Sequence, residues 1–93
     1  MVEFEWDDDN IGHLARHGIT RDEVEDLFYR RTIRQRRRGS VPDRRMVLGR
    51  TAAGRYLAIM YQAKGGELIR PFTGWEMRPY ERRLYDRQIP ETD

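Results

Sequence analysis

The sequence predicts an α+β fold, with two N-terminal helices and one C-terminal helix packed on an antiparallel sheet of four to five strands. Apolar and polar residues alternate at the start of the chain, helical spacing follows, and strand patterns separated by turn signals begin at residue 32. The predicted order of elements is therefore β-α-α-β-β-β-β-α. A chain of 93 residues can build one modest hydrophobic core, so residues 1–93 are expected to form a single domain.

The first three elements are predicted from alternation and from capping residues. Val2–Trp6 alternates apolar with polar residues, which is the pattern of a half-buried strand. The run Asp7–Asn10 offers N-cap residues at a helix start, and Gly18 is expected to end that helix as its C-cap. Thr20 and Glu23 have capping-box spacing, which predicts a second helix close behind the first. The two short helices should form a hairpin.

Four strands and a closing helix are predicted in the rest of the chain. The strands are expected at Thr32–Arg38, Arg44–Thr51, Arg55–Gln62 and Glu67–Thr73. Pro71 indicates that the last of these strands is an edge strand or ends there. Pro79 suits the first turn of the closing helix, in which Tyr80 and Leu84 are expected to face the core and Glu81 to face water.

Arginine makes up almost all of the positive charge, and this charge is zoned along the chain. Seventeen of the eighteen basic residues are arginine, with Lys64 as the exception. Residues 1–29 hold nine carboxylates and two arginines, whereas residues 30–93 hold sixteen basic and seven acidic residues. Arginine presents a planar fork of donors that matches phosphate. A GC-rich genome would explain the excess of arginine over lysine, but it would not produce the zoning.

Several classes of protein are excluded by what the sequence lacks. No cysteine is present, so disulfides and cysteine-based metal sites are impossible. No apolar run approaches the ~20 residues of a membrane span, and the acidic start does not resemble a signal peptide. We therefore expect a soluble protein of the cytoplasm that makes no membrane contact.

Two histidines have the spacing that places both rings on one helical face. His13 and His17 are four residues apart, but a third ligand and the HExxH motif are absent. We therefore expect no metal and no cofactor. Each histidine could instead be a surface or capping residue, or it could transfer protons, because histidine titrates near neutral pH.

The densest basic run falls on a predicted strand. Arg34, Arg36 and Arg38 would share one face of it, as a row of guanidinium groups that can follow a phosphate backbone. Two alternatives remain, a charged edge strand that prevents aggregation and a docking surface for an acidic partner segment. Farther along the chain, Arg70 and Trp75 would bring a phosphate-binding group near a ring that can stack a base. Tyr61 is a further aromatic candidate for RNA contact. Packing in the half-buried interior would equally explain the presence of Trp75 or of Tyr61.

Short motifs along nearly the whole chain resemble one family. They are Phe4-Glu5-Trp6-Asp7, Asn10, Ala15-Arg16-His17-Gly18-Ile19, Glu23-Val24 to Phe28, Val47-Leu48-Gly49-Arg50-Thr51, Gly54-Arg55 and Glu81-Arg82-Arg83-Leu84-Tyr85. In order and spacing the chain resembles the BrnT toxins, which are small ribonucleases of bacterial toxin–antitoxin pairs. The resemblance implies a RelE-like fold, an RNA substrate, a cognate antitoxin that binds DNA, and a two-fold toxin–antitoxin assembly.

The resemblance also implies a metal-independent reaction, in which the RNA 2′-OH attacks its own phosphodiester. Arg70, with Arg50 or Arg45, would then stabilise charge, His13 or His17 would transfer protons, and Trp75 would stack a base. One departure stands out. The family carries Arg-Ile-Ile-Ser-Ala-Arg at the end of the last strand, and this chain has Trp75 in place of the second arginine. The alternative function is a non-catalytic module on the same fold that binds nucleic acid or an antitoxin.

Overall fold

A computed structural model describes residues 1–36 and 43–90 of the chain. Over these residues the chain forms five strands and three helices in the predicted order. They are β1 (Glu3–Phe4), α1 (Asp8–Arg16), α2 (Arg21–Phe28), β2 (Thr32–Arg36), β3 (Arg44–Arg50), β4 (Tyr56–Gly65), β5 (Leu68–Glu76) and α3 (Pro79–Gln88). The α+β class is confirmed. Arg38 lies outside the described residues, as does the side chain of Arg36.

The five strands form one open, mixed sheet in the order β1-β5-β4-β3-β2. The pairs β2–β3, β3–β4 and β4–β5 are antiparallel, whereas β1 pairs with β5 in parallel. The prediction of a wholly antiparallel sheet is therefore wrong at this one pair. Only Glu3 and Phe4 form the pair, opposite Leu68 and Ile69. The alternation of apolar and polar residues in so short a strand indicates which side is buried, but it does not indicate whether the strand runs parallel or antiparallel to its neighbour.

The helix ends follow the capping residues predicted from the sequence. Asp7 caps α1 by accepting a hydrogen bond from the Asn10 backbone N–H, and the Asn10 side-chain oxygen accepts one from the Asp7 N–H. At the other end Gly18 has φ of 74°, and the Ile19 N–H donates to the Leu14 carbonyl over 3.0 Å. This bond across a left-handed glycine is the Schellman arrangement. The predicted C-cap glycine is thereby confirmed.

The other two helices confirm their predicted starts, and Leu84 of α3 packs against the core as predicted, but Tyr80 and Glu81 were assigned to the wrong sides. Thr20 and Glu23 form the expected capping box of α2, and Pro79 begins α3. In α3, however, Tyr80 is 57% exposed and Glu81 is 2% exposed. Glu81 Oε1 accepts hydrogen bonds from the Arg78 backbone N–H at 2.8 Å and from an indole at 3.1 Å. These hydrogen bonds hold the Glu81 side chain on the inner side of α3. Tyr80, the residue before it, therefore points to solvent.

Helices cover both faces of the sheet, and β4 is buried between them. Residues directly opposite each other in an antiparallel pair share a face, so Val47 and Ile59 lie on one face and Leu48 and Ala58 on the other. The first face packs against α1 and α2, and the second packs against Tyr85 of α3. Two small apolar clusters therefore share one sheet.

Strand β5 is longer than predicted and has an irregularity at Pro71. The strand was expected to end at Thr73, but it continues through Trp75 to Glu76. Opposite β4, the pairing passes from Thr73 to Pro71 and skips Phe72, as in a β-bulge. On the other side, pairing with β1 stops at Ile69, so Pro71 faces no strand there. Of the two alternatives that Pro71 left open, the strand does not end there, and its edge character is confirmed on that side.

Helix α1 takes the place of a strand along this part of β5. The buried Asn10 side chain donates one hydrogen bond to the Glu5 carbonyl at 2.9 Å and one to the Pro71 carbonyl at 2.8 Å. One amide therefore satisfies two backbone acceptors that no strand reaches. It also fixes the start of α1 against the sheet.

Close packing at Gly74 generates a stability prediction. A Cβ at this position would lie 2.9 Å from the Ala58 carbonyl oxygen and 2.7 Å from Ile59 Cδ1. The backbone oxygen cannot move without disturbing the pairing of β4 with β5, so we expect Gly74→Ala to lower the free energy of unfolding by about 1–3 kcal/mol. Urea denaturation measures this change.

Gly12 provides the matched control for that substitution. It lies within α1, and a Cβ there would meet nothing within 4 Å. Gly12→Ala should raise the free energy of unfolding by up to about 1 kcal/mol, because alanine is the better helix former. Equal effects of the two substitutions would contradict the packing assigned to Gly74.

Candidate functional site

Three of the sequence-predicted residues meet at one cavity on the face of the sheet that packs against α1 and α2. Arg45 of β3 lies directly opposite Tyr61 of β4, and Arg34 of β2 lies opposite Val47, one step along the same face. All three side chains line an open cavity of about 320 Å³ beside the hairpin at Gly65 and Gly66. From the sequence, Arg45 was predicted to be catalytic, whereas Arg34 and Tyr61 were predicted to contact RNA. In the folded chain the three side chains line the same cavity.

Tyr61 forms the floor of this cavity. The residue is 2% exposed, and its ring meets Phe28 edge to face with the centroids 5.3 Å apart. Burial raises the pKa of the Tyr61 phenol, while the positive charges of Arg34 and Arg45 oppose that rise. The phenol therefore keeps its proton at neutral pH. The Arg45 residue lies opposite Tyr61 on the neighbouring strand, and both side chains line the cavity.

The two guanidinium groups are held in place by different contacts. Arg45 Nη2 is 2.9 Å from Asp43 Oδ2, and this hydrogen bond raises the pKa of Arg45 further above its ordinary value. The Arg34 guanidinium lies over the Phe28 ring, 5.1 Å from its centroid. Oriented guanidinium groups beside a buried hydroxyl form a site for an anion such as a phosphodiester.

Asp43 was not predicted as a site residue from the sequence. The one feature that could have indicated it is its position, two residues before Arg45, which was predicted to be catalytic.

Arg70, the first choice from the sequence, lies outside the lining of this cavity. Its Nη1 is 2.8 Å from Asp7 Oδ2 and 3.2 Å from Glu5 Oε1, and its Nη2 is 3.2 Å from Asp7 Oδ1. The guanidinium thus clamps the N-cap of α1 to β5. The hydrogen bond from Arg70 is the main cause that lowers the pKa of Asp7.

His13 and His17 lie together on α1. Their ring centroids are 5.1 Å apart, and His13 Nε2 is 3.2 Å from Thr73 Oγ1 of β5. Neither ring lines the cavity at Tyr61. Within residues 1–36 and 43–90, no group of three or more His, Cys, Asp or Glu side chains is arranged to hold a metal ion.

Arg50 and Trp75 lie on the other face of the sheet, near α3. The Arg50 guanidinium is 4.9 Å from the Tyr56 ring centroid. Trp75 is part of β5 rather than of a following turn, and its indole N–H donates to Glu81. Arg78 lies 4.8 Å from the centroid of the indole ring. The predicted catalytic residues are thus divided among three places: the cavity at Tyr61, the seam between α1 and β5, and the α3 face.

Comparison with models of known protein families finds none that matches this chain, and comparison with curated proteins finds no significant match. Among the helices of the described residues, none combines the length and apolar character needed to cross a bilayer.

The clamp at Arg70 predicts a pH dependence of stability. Because the pKa of Asp7 is lower in the folded protein than its ordinary value of 3.8, its ionised form stabilises the fold above that value, and this stabilisation is lost as pH falls through the folded pKa. Arg70→Met removes the main cause of the shift. The decrease in the free energy of unfolding between pH 5 and pH 2 should therefore be smaller in the variant, as urea titrations at several pH values would measure.

Asp7→Asn is the control for this acid titration, since asparagine still caps a helix but carries no charge. Adding Arg70→Met to Asp7→Asn should change the pH dependence less than adding it to the native chain. An unchanged acid titration in Arg70→Met alone would rule out the clamp.

Proposed function

We propose that the protein is a metal-independent endoribonuclease, the toxin of a type II toxin–antitoxin pair, neutralised by a cognate antitoxin. One observation carries the catalytic part of this proposal. The Tyr61 phenol keeps its proton and lies beside the guanidinium groups of Arg34 and Arg45 in an open cavity. The similarity of the sequence motifs to BrnT toxins supplies the biological role.

The reaction that fits this cavity is intramolecular transesterification of RNA. The 2′-oxygen attacks the adjacent phosphorus and loses its proton to Asp43, while the bond from phosphorus to the 5′-oxygen breaks. Tyr61 donates its proton to that departing oxygen as the general acid. The products are a 2′,3′-cyclic phosphate and a free 5′-OH. Side chains supply every proton and charge in this scheme, so it requires no divalent metal.

Arg34 and Arg45 would act on the two non-bridging phosphoryl oxygens. Negative charge grows on these oxygens as the pentacovalent state forms, and fixed donors stabilise that charge more than they stabilise the substrate. Asp43 holds Arg45 in position through contacts of 2.9 and 3.4 Å, so little reorganisation is needed when the substrate binds. Loss of one such donor typically costs about 10²–10³ in rate.

A second candidate function is a non-catalytic module that binds nucleic acid or the antitoxin. The side chains of Arg70 and Trp75 favour this alternative. They stand at the positions where the BrnT family carries its two arginines, and neither is available there as a free guanidinium group. Arg70 is engaged by Asp7 and Glu5, and Trp75 stands where the second family arginine would be and is bonded to Glu81. Under this alternative the protein would bind RNA without cleaving it.

Tyr61→Phe tests the catalytic proposal directly. Phenylalanine preserves the packing against Phe28 but removes the donated proton, so we expect cleavage of an RNA oligonucleotide in EDTA to slow by about 10²-fold or more. Tyr29→Phe is the matched control, since Tyr29 is 66% exposed and lies outside the cavity. Its rate should stay within twofold of the native rate.

A substrate with a sulfur leaving atom separates catalysis by Tyr61 from a structural effect. A 5′-bridging phosphorothiolate departs without protonation, so Tyr61→Phe should cleave it nearly as fast as the native protein does. An equal loss on the oxygen and sulfur substrates would contradict the role of general acid. Salt-sensitive binding of RNA with no cleavage by the native protein would favour the non-catalytic module.

A further inference from the structure

We propose that a second pocket, on the opposite face of the sheet, binds a nucleotide phosphate through Arg31, Arg50 and Tyr85. The pocket is a cavity of about 400 Å³ where α2, β3 and α3 end together. Arg31 follows α2, Arg50 is the last residue of β3, and Tyr85 lies on the inner face of α3. As part of an RNA-binding surface the pocket extends the proposed ribonuclease function, whereas its affinity for a nucleotide does not depend on cleavage.

The chemistry of the pocket repeats that of the cavity at Tyr61. Tyr85 is 6% exposed, and burial raises the pKa of its phenol. Arg50 and Arg31 line the same cavity as Tyr85, and their positive charges oppose this rise. Each of the two tyrosines therefore lies beside a pair of arginines. This combination presents convergent donors to an anion.

One hydrogen bond makes the second pocket a binding site rather than a reaction site. The Tyr85 hydroxyl donates its proton to the backbone carbonyl of Arg31 at 3.3 Å. That proton is engaged within the protein, so it is poorly placed to protonate a leaving group. The phenol oxygen and the Arg31 guanidinium remain as polar contacts for a ligand, and the positive charge of Arg50 adds to the attraction of an anion.

The charge balance of the pocket favours an anionic ligand. Three arginines line it, and of these Arg30 forms an ion pair with Asp26 at 3.1 Å. Arg31 forms no ion pair with any carboxylate in the described part of the chain. Asp86, the acidic residue of the lining, accepts a hydrogen bond from the Tyr56 hydroxyl at 2.9 Å. Positive charge therefore exceeds negative charge in the lining.

Part of the remaining wall is apolar and suits the nucleoside part of the ligand. Ile89 and Pro90 line the cavity beside the Tyr85 ring. Ligand pockets of this size combine apolar walls with a few placed polar groups. A phosphate joined to a nucleoside uses both kinds of surface, whereas inorganic phosphate would use the arginines alone.

The two sites are arranged so that one RNA strand could reach both. Arg31 and Arg34 are three residues apart, about 10 Å in an extended segment. Strand β2 is the edge of the sheet, so a strand of RNA can pass around it from one face to the other. The nucleotide phosphate in the second pocket would then belong to the RNA backbone, at a distance from the bond that is cleaved.

Binding of adenosine 5′-monophosphate at low salt tests the pocket, measured by titration calorimetry. We expect Arg31→Gln to weaken this binding at least tenfold, and Arg31→Lys, which retains the charge, to weaken it less. Arg83→Gln removes an exposed arginine of α3 that does not line the pocket, and it should leave affinity within twofold. Absence of binding, or equal affinity of Arg31→Gln and the native protein, would overturn the proposal.

Competition distinguishes the two sources of the phosphate. An all-2′-deoxy oligonucleotide cannot undergo the reaction, and adenosine monophosphate should displace it partly if the pocket holds a backbone phosphate. Binding of the mononucleotide without displacement would support the same pocket as a site for free nucleotides. Neither outcome depends on cleavage, so a protein that fails to cut RNA could still pass this test.

Discussion

Burial of β4 on both faces is the constraint on which the rest of the structure depends. Leu57 to Tyr61 are buried in succession, so the strand needs apolar cover above and below. With ten residues, β4 spans about 33 Å, whereas the ten residues of α3 span about 15 Å. Helix α3 therefore cannot cover its face of β4 along the whole length of the strand. The candidate sites lie near the two ends of the buried stretch, one at Tyr61 and the other beside Tyr56.

Arginine covers part of the surface that the helices leave open. In the part of the chain that the structure describes, five guanidinium groups lie over aromatic rings: Arg34 over Phe28, Arg44 over Phe72, Arg50 and Arg82 over Tyr56, and Arg78 over Trp75. Each such contact contributes about 0.5–1 kcal/mol at an exposed site. The planar guanidinium stacks on a ring better than a lysine ammonium does, and it keeps its charge toward solvent. The arginine excess therefore has a structural part in addition to any role in binding RNA.

The sequence was sufficient where the determining contacts are local. Thr20 and Glu23 cap α2 across three residues, and Gly18 ends α1 because its φ is positive. It was insufficient where partners are distant in the chain. Arg70 meets Asp7 across 63 residues, and nothing in the composition shows which carboxylate an arginine will find. For the same reason Arg34, Arg45 and Tyr61 were predicted individually from residue type, whereas their convergence depends on strand register.

Folding pairs part of the charge that is zoned along the chain. Acidic residues of the first third pair with arginines of the remainder: Asp7 with Arg70, Glu23 with Arg55, and Asp26 with Arg30. Exposed pairs of this kind contribute little stability individually, but they neutralise the arginines that take part. Arg34 and Arg31 form no such pair within the described residues, and each lies beside a buried phenol. The positive charge that folding leaves uncompensated at these two arginines is thus located at the two cavities, where an anionic ligand can reach it.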